Sequence, residues 1–111
     1  SNLDYLKTLS IIFNQINLIE FYVFKNMTQL NELSLANNLI DKLDAYVFYD
    51  LYNLEILNLE NNRLKNLSNN TFRLLKNLVI LYLNGNEIFF IDKTAFTNLK
   101  NLNELNLDQN L

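Results

Sequence analysis

The side chains that could do chemistry in this 111-residue chain are carboxylates, hydroxyls, amides and the basic groups of Lys and Arg, because the sequence contains no Cys and no His. That composition removes thiol nucleophiles, disulfides, most zinc sites and the commonest general base. Asp41 with Asp44, or Glu55 with Glu60, could be read as a catalytic or calcium-binding pair. No loop adds the further converging oxygens that calcium needs, which favours solvated surface charge instead. The sequence therefore predicts no catalytic residue, no metal site and no cofactor, and hence no enzyme.

The charge and hydropathy of the chain narrow the possible partners. Nine basic and twelve acidic side chains give a net charge of −3, and the Lys and Arg residues form no cluster. Because clustered positive charge is what holds a phosphate backbone, nucleic acid is not an expected partner. No apolar run approaches the roughly 20 residues of a membrane-spanning helix. We therefore expect one folded unit with no membrane span.

The Asn side chains show how the chain is organised, because one Asn recurs with a fixed period. The same step of 24 residues links a Phe column and several Leu columns, and no insertion breaks it. Written from its first Leu, each unit reads L-x-x-L-x-L-x-x-N-x-L-x-x-L-x-x-x-x-F-x-x-L-x-x. The units begin at Leu6, Leu30, Leu54, Leu78 and Leu102. The Asn column consists of Asn14, Asn38, Asn62, Asn86 and Asn110.

Each unit predicts one short strand and one turn of a stack. In the third unit, Leu57 and Leu59 point to one side of the strand. Ile56, Asn58 and Glu60 point to the other side. One turn cannot enclose its own apolar side, so stability must come from stacking of successive turns. The Asn column is expected to satisfy backbone groups where the chain leaves the strand, and the Phe column to push the return side apart.

This pattern resembles the 24-residue typical class of the leucine-rich repeat family over nearly the whole chain. The resemblance implies an α/β fold, namely a right-handed solenoid with a short-stranded parallel sheet on the concave face and mostly irregular or short helical convex segments. Many members carry Pro in the return segment, where this chain has Glu20, Asp44, Ser68 and Asp92. The cysteine-containing caps of related ectodomains are missing. We therefore expect residues 1–111 to be a solenoid fragment whose first and last units are incomplete or uncapped.

A solenoid presents its concave sheet as an extended binding surface, so the residues between the leucines are the candidate site. Ile56, Ile80 and Tyr82 are expected to form an apolar and aromatic centre inside an acidic rim, which is typical of a protein-binding patch. The same side chains could instead simply pack against one another across neighbouring strands. The predicted partner-binding residues are Glu32, Ile56, Asn58, Glu60, Ile80, Tyr82, Glu104, Asn106 and Asp108.

Two features of the return side concern the cellular compartment of the protein and the exposure of its aromatic side chains. Sequons for N-glycosylation at Asn26, Asn66 and Asn69 would indicate a secretory route if they are used. In a chain this rich in Asn about two sequons are expected by chance, so the signal is weak. Phe89 and Phe90 occupy positions that are mostly polar in other units, and one of them is expected to be exposed.

Units of this class are known chiefly from extracellular animal proteins, such as Toll and Toll-like receptor ectodomains, insect immune leucine-rich repeat proteins and variable lymphocyte receptors. The resemblance implies a protein-binding recognition module, part of an extracellular receptor or a secreted innate-immune protein. Its partner would be a protein ligand or a co-receptor, and uncapped ends could lead to self-association. Two alternatives stay open: a structural segment of a longer solenoid whose ligand is bound elsewhere, and an intracellular leucine-rich repeat scaffold.

Overall fold

Short strands line both the front and the return side of a solenoid. The computed structural model describes residues 2–111, with side chains from residue 4 onward. Three-residue strands alternate along the chain with two-residue strands. In chain order the described strands are β1 (Thr8–Ser10), β2 (Leu18–Ile19), β3 (Glu32–Ser34), β4 (Lys42–Leu43), β5 (Ile56–Asn58), β6 (Asn66–Leu67), β7 (Ile80–Tyr82), β8 (Phe90–Ile91) and β9 (Glu104–Asn106).

The three-residue strands form one parallel sheet in the order β1-β3-β5-β7-β9. Leu33 is paired with Leu57, and Leu57 with Leu81, so equivalent positions of successive units lie side by side. These leucines are fully buried, whereas the residues on either side of them face outward. Backbone bonds extend the pairing past the strand ends, for example from Leu35 N to Asn58 O at 2.8 Å. The predicted alternation of the L-x-L segment is confirmed.

The return side consists mainly of turns. β2 pairs with β4, and β6 with β8, in two separate two-stranded parallel sheets. The one helix within residues 2–111 is a short 3-10 segment, Asn2–Tyr5. The predicted leucine-rich repeat solenoid with mostly irregular return segments is therefore confirmed.

A stack of phenylalanine rings lies inside the return side of the solenoid. Phe24, Phe48, Phe72 and Phe96 stack with centroid separations of 6.2, 6.2 and 6.1 Å. Neighbouring strands lie only about 4.7–4.9 Å apart, so each turn is wider at its ring than at its strand. This difference in spacing favours a stack that curves with the sheet on the inside, and the outward side of the five-stranded sheet is therefore called the concave face.

Each unit bends after its strand through a residue at positive φ. These residues are Phe13, Asn37, Asn61, Gly85 and Gln109, with φ between 55° and 71°. Asn tolerates the left-handed region better than most residues, which helps the chain to turn with a single Gly. A Cβ at Gly85 would collide with the side chain of Asn61, so Gly85 is needed for space as well as for its φ of 71°.

Candidate protein-binding surface

Two rows of side chains cross the concave face, because the residues flanking each buried Leu point outward. In-register pairing places successive members of a row on adjacent strands, about 4.8 Å apart. The first row is Thr8, Glu32, Ile56, Ile80 and Glu104, and the second is Ser10, Ser34, Asn58, Tyr82 and Asn106. The two isoleucines are therefore neighbours at the middle of the face, with a glutamate on either side.

The sheet brings the predicted binding residues onto one face. Glu32, Asn58, Asn106 and the apolar centre lie in the two rows, and Glu60 and Asp108 follow β5 and β9 by two residues. Ile56, Ile80 and Tyr82 are half-buried. That burial suits both a docking surface and cross-strand packing.

The carboxylate of Glu60 is fixed by two amides. It accepts hydrogen bonds from Asn58 Nδ2 at 3.2 Å and from Asn84 Nδ2 at 3.1 Å. The backbone N–H of Glu60 donates to Asn58 Oδ1 at 2.9 Å. The repeat pattern does not indicate Asn84 as a site residue, because nothing in the consensus shows that its amide reaches into the preceding turn. Asn84 Oδ1 is itself buried, with no hydrogen-bond partner within the described part of the chain.

The phenol of Tyr82 lies in a negative field. The charge of Glu104 raises the pKa of Tyr82 above its ordinary value, with further contributions from desolvation and from a hydrogen bond to the same carboxylate. The charge of Glu60 adds to the effect. A positively charged group arriving beside this ring would therefore meet two carboxylates.

A groove of about 370 Å³ lies over the β1 end of the concave face. Ser10 and Ser34 contribute to its lining, and their side chains are the smallest in the second row. Asn58 and Tyr82, the next members of that row, line it as well. The change from Ser to Tyr along one row leaves the face hollow at one end and raised in the middle, which the repeat consensus does not predict.

The Asn column bridges successive turns. Asn62 Nδ2 donates to Leu35 O at 3.0 Å and to Leu59 O at 3.1 Å, and its Oδ1 accepts from Ile40 N at 3.1 Å. Asn38, Asn86 and Asn110 make equivalent bonds. Asn14, in the first turn, is exposed and donates to Ile12 O of its own turn at 2.9 Å.

A second column of amides is not evident from the consensus. Asn77 Nδ2 donates to Tyr52 O of the preceding turn at 2.7 Å. Asn53 and Asn101 make the corresponding bond at 2.8 and 3.1 Å. The signal available in the sequence is their 24-residue spacing, immediately before the first Leu of a unit.

Aromatic side chains are exposed on the return side. Phe89 and Phe90 are 64% and 55% exposed, so the expectation that one of them is exposed understates the result. The reason is that Ile88 and Ile91 take the inward positions on either side of them. A return-side aromatic cluster is formed by Phe21, Tyr22, Tyr46, Tyr49 and Tyr52. Three of its rings line a shallow groove of about 570 Å³, at positions where the consensus specifies no aromatic residue.

The three sequon asparagines lie away from the concave face. Asn26, Asn66 and Asn69 are all exposed on the return side. Asn26 has a φ of 68°, and its N–H donates to Asp50 Oδ2 at 2.8 Å. A glycan at any of the three would therefore leave the sheet face uncovered.

Neither a metal cluster nor a membrane-spanning helix occurs in the described residues. Over residues 2–111, no group of three or more His, Cys, Asp and Glu side chains could hold a metal ion. No helix in the same range is long and apolar enough to cross a bilayer. The carboxylates at Asp41, Asp44, Glu55 and Glu60 therefore belong to no such cluster.

The repeat, the sheet and the amide columns define the class of protein. A model of the leucine rich repeat matches residues 4–54, 28–88 and 76–111, which together span nearly the whole chain. The chain belongs to the leucine-rich repeat family.

Among solved structures, the chain is similar to Toll in the Toll–Spatzle complex, described as a molecular hub in Drosophila development and innate immunity. One such structure shares 32% sequence identity at a TM-score of 0.85 and covers 86% of this chain and 13% of that chain. A glycosylated form shares 32% identity at a TM-score of 0.91 and covers 94% of this chain and 14% of that chain. This chain thus spans about one-seventh of the length of the chains it matches. No curated protein matches it in sequence.

Proposed function

We propose that this chain is a protein-recognition module of an extracellular receptor or a secreted innate-immune protein, and that its protein ligand or co-receptor docks on the concave face. Membership of the leucine-rich repeat family supports a protein-interaction role. The likeness to Toll, which was solved in complex with Spatzle, supports the extracellular assignment. The proposal includes no catalytic step, no cofactor and no nucleic acid.

The apolar centre of the concave face is the observation that carries this proposal. Ile56, Ile80 and Tyr82 are adjacent, point outward and retain part of their surface for contact with another molecule. Protein interfaces combine such a centre, which loses water on binding, with a polar rim. The rim is supplied by Glu32 and Glu104 in the same rows.

The main rival is a structural segment whose ligand is held by other repeats of a longer solenoid. The observation that favours it is the in-register contact between Ile56 and Ile80, since cross-strand packing alone stabilises a sheet. The two functions differ in whether a partner approaches this face at all.

Position-dependent photo-crosslinking tests the proposal. The full-length protein is made with a photoreactive phenylalanine analogue in place of Glu32, in place of Glu104, or in place of Lys76, an exposed return-side residue used as control. After incubation with extracellular fluid of the source organism and illumination, we expect the same crosslinked polypeptide at both concave positions and none at Lys76. A crosslink at Lys76 alone, or at no position, would contradict the proposal.

A mass measurement tests the extracellular assignment separately. Secretion of the chain from a eukaryotic host, followed by glycosidase treatment, should lower its mass, because the three sequon asparagines are exposed. Substitution of Asn26, Asn66 and Asn69 by Gln should remove the mass change. A mass that glycosidase leaves unaltered would favour the intracellular scaffold.

A further inference from the structure

The groove on the concave face and the charge around it indicate the chemistry of the partner. We propose that the partner presents a basic segment, in which one apolar side chain enters the groove over Ser10 and Ser34 while flanking Lys or Arg side chains meet the surrounding carboxylates. This inference rests on the proposed function, because it names the partner class for the same face.

The groove has room for a large apolar side chain from a partner. Its volume is about 370 Å³, and the outward-facing Ile56 and Tyr82 contribute apolar surface to its lining. Ser10 and Ser34 end in one hydroxyl each, so the chain's own side chains cannot fill the hollow. An aliphatic or aromatic group from outside would lose its water there and contact the wall formed by Tyr82.

The concave side of the solenoid carries more acidic than basic side chains, and one of the acidic side chains, Glu32, lines the groove. In each unit we consider the segment from the residue before the three-residue strand to the residue at positive φ that follows the strand. Within the described residues, these segments contain five carboxylates and one basic residue, Lys7. The remaining eight of the nine basic residues and seven of the twelve acidic residues lie elsewhere. The five carboxylates are Glu32, Glu60, Glu104 and Asp108 on the face and Glu55 immediately before β5.

These five carboxylates lack internal counter-charges. The ion pair that the described side chains form, between Lys65 and Glu87 at 3.2 Å, lies outside the face. None of the five carboxylates pairs with a described cation. An acidic partner would be repelled by them, and a neutral one would desolvate them without giving a counter-charge in return.

The arrangement also favours rapid capture of a basic partner. A concave surface focuses the field of like charges and raises the association rate of an oppositely charged molecule. Glu60 is already held by Asn58 and Asn84, so it loses little freedom when it forms an ion pair. Next to it, a guanidinium could contact a carboxylate and the ring of Tyr82 together.

Selection of peptides from a random phage-displayed library tests the partner chemistry directly, because such a library contains basic, acidic and neutral sequences alike. The library is selected in parallel on the full-length protein and on its Ser34→Trp variant, which fills the groove without changing the charge. Thr97→Trp places the same side chain at an exposed return-side position and serves as the matched control. Ser34→Leu is a second groove-filling variant, and circular dichroism with thermal melting checks that each variant is folded.

Removal of carboxylates from the concave face gives a second test, in which the affinity of the selected peptides is measured. Glu32→Gln with Glu104→Gln should lower peptide affinity about threefold to tenfold, mainly through slower association, with a smaller effect in high salt. The control pair, Asp41→Asn with Glu87→Gln, removes two carboxylates outside the face and should leave the affinity unchanged.

The proposal predicts peptides with Lys or Arg on both sides of a bulky apolar residue, and at least a tenfold loss of their binding to the two groove-filling variants. Acidic or neutral peptides that still require Ser34 would overturn the basic-partner inference but leave protein recognition by this face intact. Peptides that bind both groove-filling variants as tightly as the unsubstituted protein would overturn the groove as a docking site. The crosslinking experiment tests the proposed function separately. Self-association of the chain that Ser34→Trp abolishes would identify a second copy as the occupant and also contradict the inference.

Discussion

Side-chain amides join turns of the solenoid at points where the sheet provides no bond. Both polar atoms of the Asn62 side chain form hydrogen bonds to the preceding turn. Nδ2 donates to Leu35 O at 3.0 Å, and Oδ1 accepts from Ile40 N at 3.1 Å. The side chain is 5% exposed, so water has little access to the backbone groups that it satisfies. At the scale of single residues, these amides couple the folding of neighbouring turns.

Asn62→Leu should lower the free energy of unfolding by at least about 2 kcal/mol, although Leu is the more apolar residue. Leaving one buried backbone group without a partner costs about 1 to 3 kcal/mol, and this substitution removes the partner of several. The measurement is the urea midpoint at unchanged m-value.

Asn14→Leu is the matched control for that substitution. Asn14 occupies the same repeat position but is exposed and bonds to Ile12 O within its own turn. Its loss should cost less than about 1 kcal/mol, as is usual for an exposed hydrogen bond. Equal costs at Asn14 and Asn62 would contradict a bridging role for the amide.

The first amide column could be predicted from the sequence because it interrupts an apolar pattern at a constant position. The second column could not, although Asn53, Asn77 and Asn101 have the same spacing, because polar residues at such positions are ordinarily solvated. Only the path of the return segment brings Asn77 Nδ2 within 2.7 Å of Tyr52 O. The contact of Asn84 with Glu60 is of the same kind, since it depends on how two loops are placed.

At the scale of elements, the Phe stack is the return-side counterpart of the sheet. Phe72 lies between two rings, at 6.2 Å from Phe48 and 6.1 Å from Phe96, and is fully buried. Phe96 has one ring neighbour in the stack and is partly exposed. Each ring therefore supports the turns next to it, and its contribution depends on how many such turns there are.

Phe72→Ala should lower the free energy of unfolding by about 3 to 5 kcal/mol, because it opens a cavity between two packed turns. Phe96→Ala should cost clearly less, since its ring is already partly solvated. Thermal or urea unfolding of both variants under one set of conditions gives the comparison. Losses of equal size would argue against a stack stabilised by nearest-neighbour contacts.

The five long strands could be placed from the sequence because their buried leucines recur at fixed positions and a one-residue register shift would turn them outward. The short return strands could not be placed in the same way. They pair between the first and second units and between the third and fourth, and two-residue pairs of this kind depend on local backbone path. The outward position of both Phe89 and Phe90 follows from that path as well.

At the scale of the whole molecule, the two ends differ from the middle. Leu57 and Leu81 are fully buried between neighbouring turns, whereas the equivalent Leu105 in the last unit is 37% exposed. Leu6, Leu9, Ile11 and Ile16 in the first unit are partly exposed as well. Apolar surface that inner turns cover is therefore open to solvent at both ends of the stack.

The isolated 111-residue chain should consequently self-associate end to end, in a concentration-dependent manner. Fusion of polar capping repeats to both ends should restore a monomer, because the caps cover the same leucines. Light scattering over a concentration series measures the effect. A chain that stays monomeric at high concentration without caps would contradict this prediction.

The nine candidate binding residues could be assigned to one face from the two-residue alternation of a strand alone. The groove could not be predicted in this way, because it depends on the curvature of the stack together with the small side chains of Ser10 and Ser34. Nor does a repeat consensus show that no described Lys or Arg side chain forms an ion pair with the acidic residues of the face.

The central claim is that the apolar centre of the concave face holds a protein partner. The most direct test is the affinity of the full-length protein for the crosslinked partner, measured by surface plasmon resonance with Ile56, Ile80 and Tyr82 all replaced by Ala. Truncation of an interface centre costs about 2 kcal/mol or more, so we predict at least a roughly thirtyfold loss of affinity. The control variant, Tyr46→Ala with Tyr49→Ala in the return-side aromatic cluster, should bind normally. An unchanged affinity of the triple variant, with its fold intact, would contradict the claim.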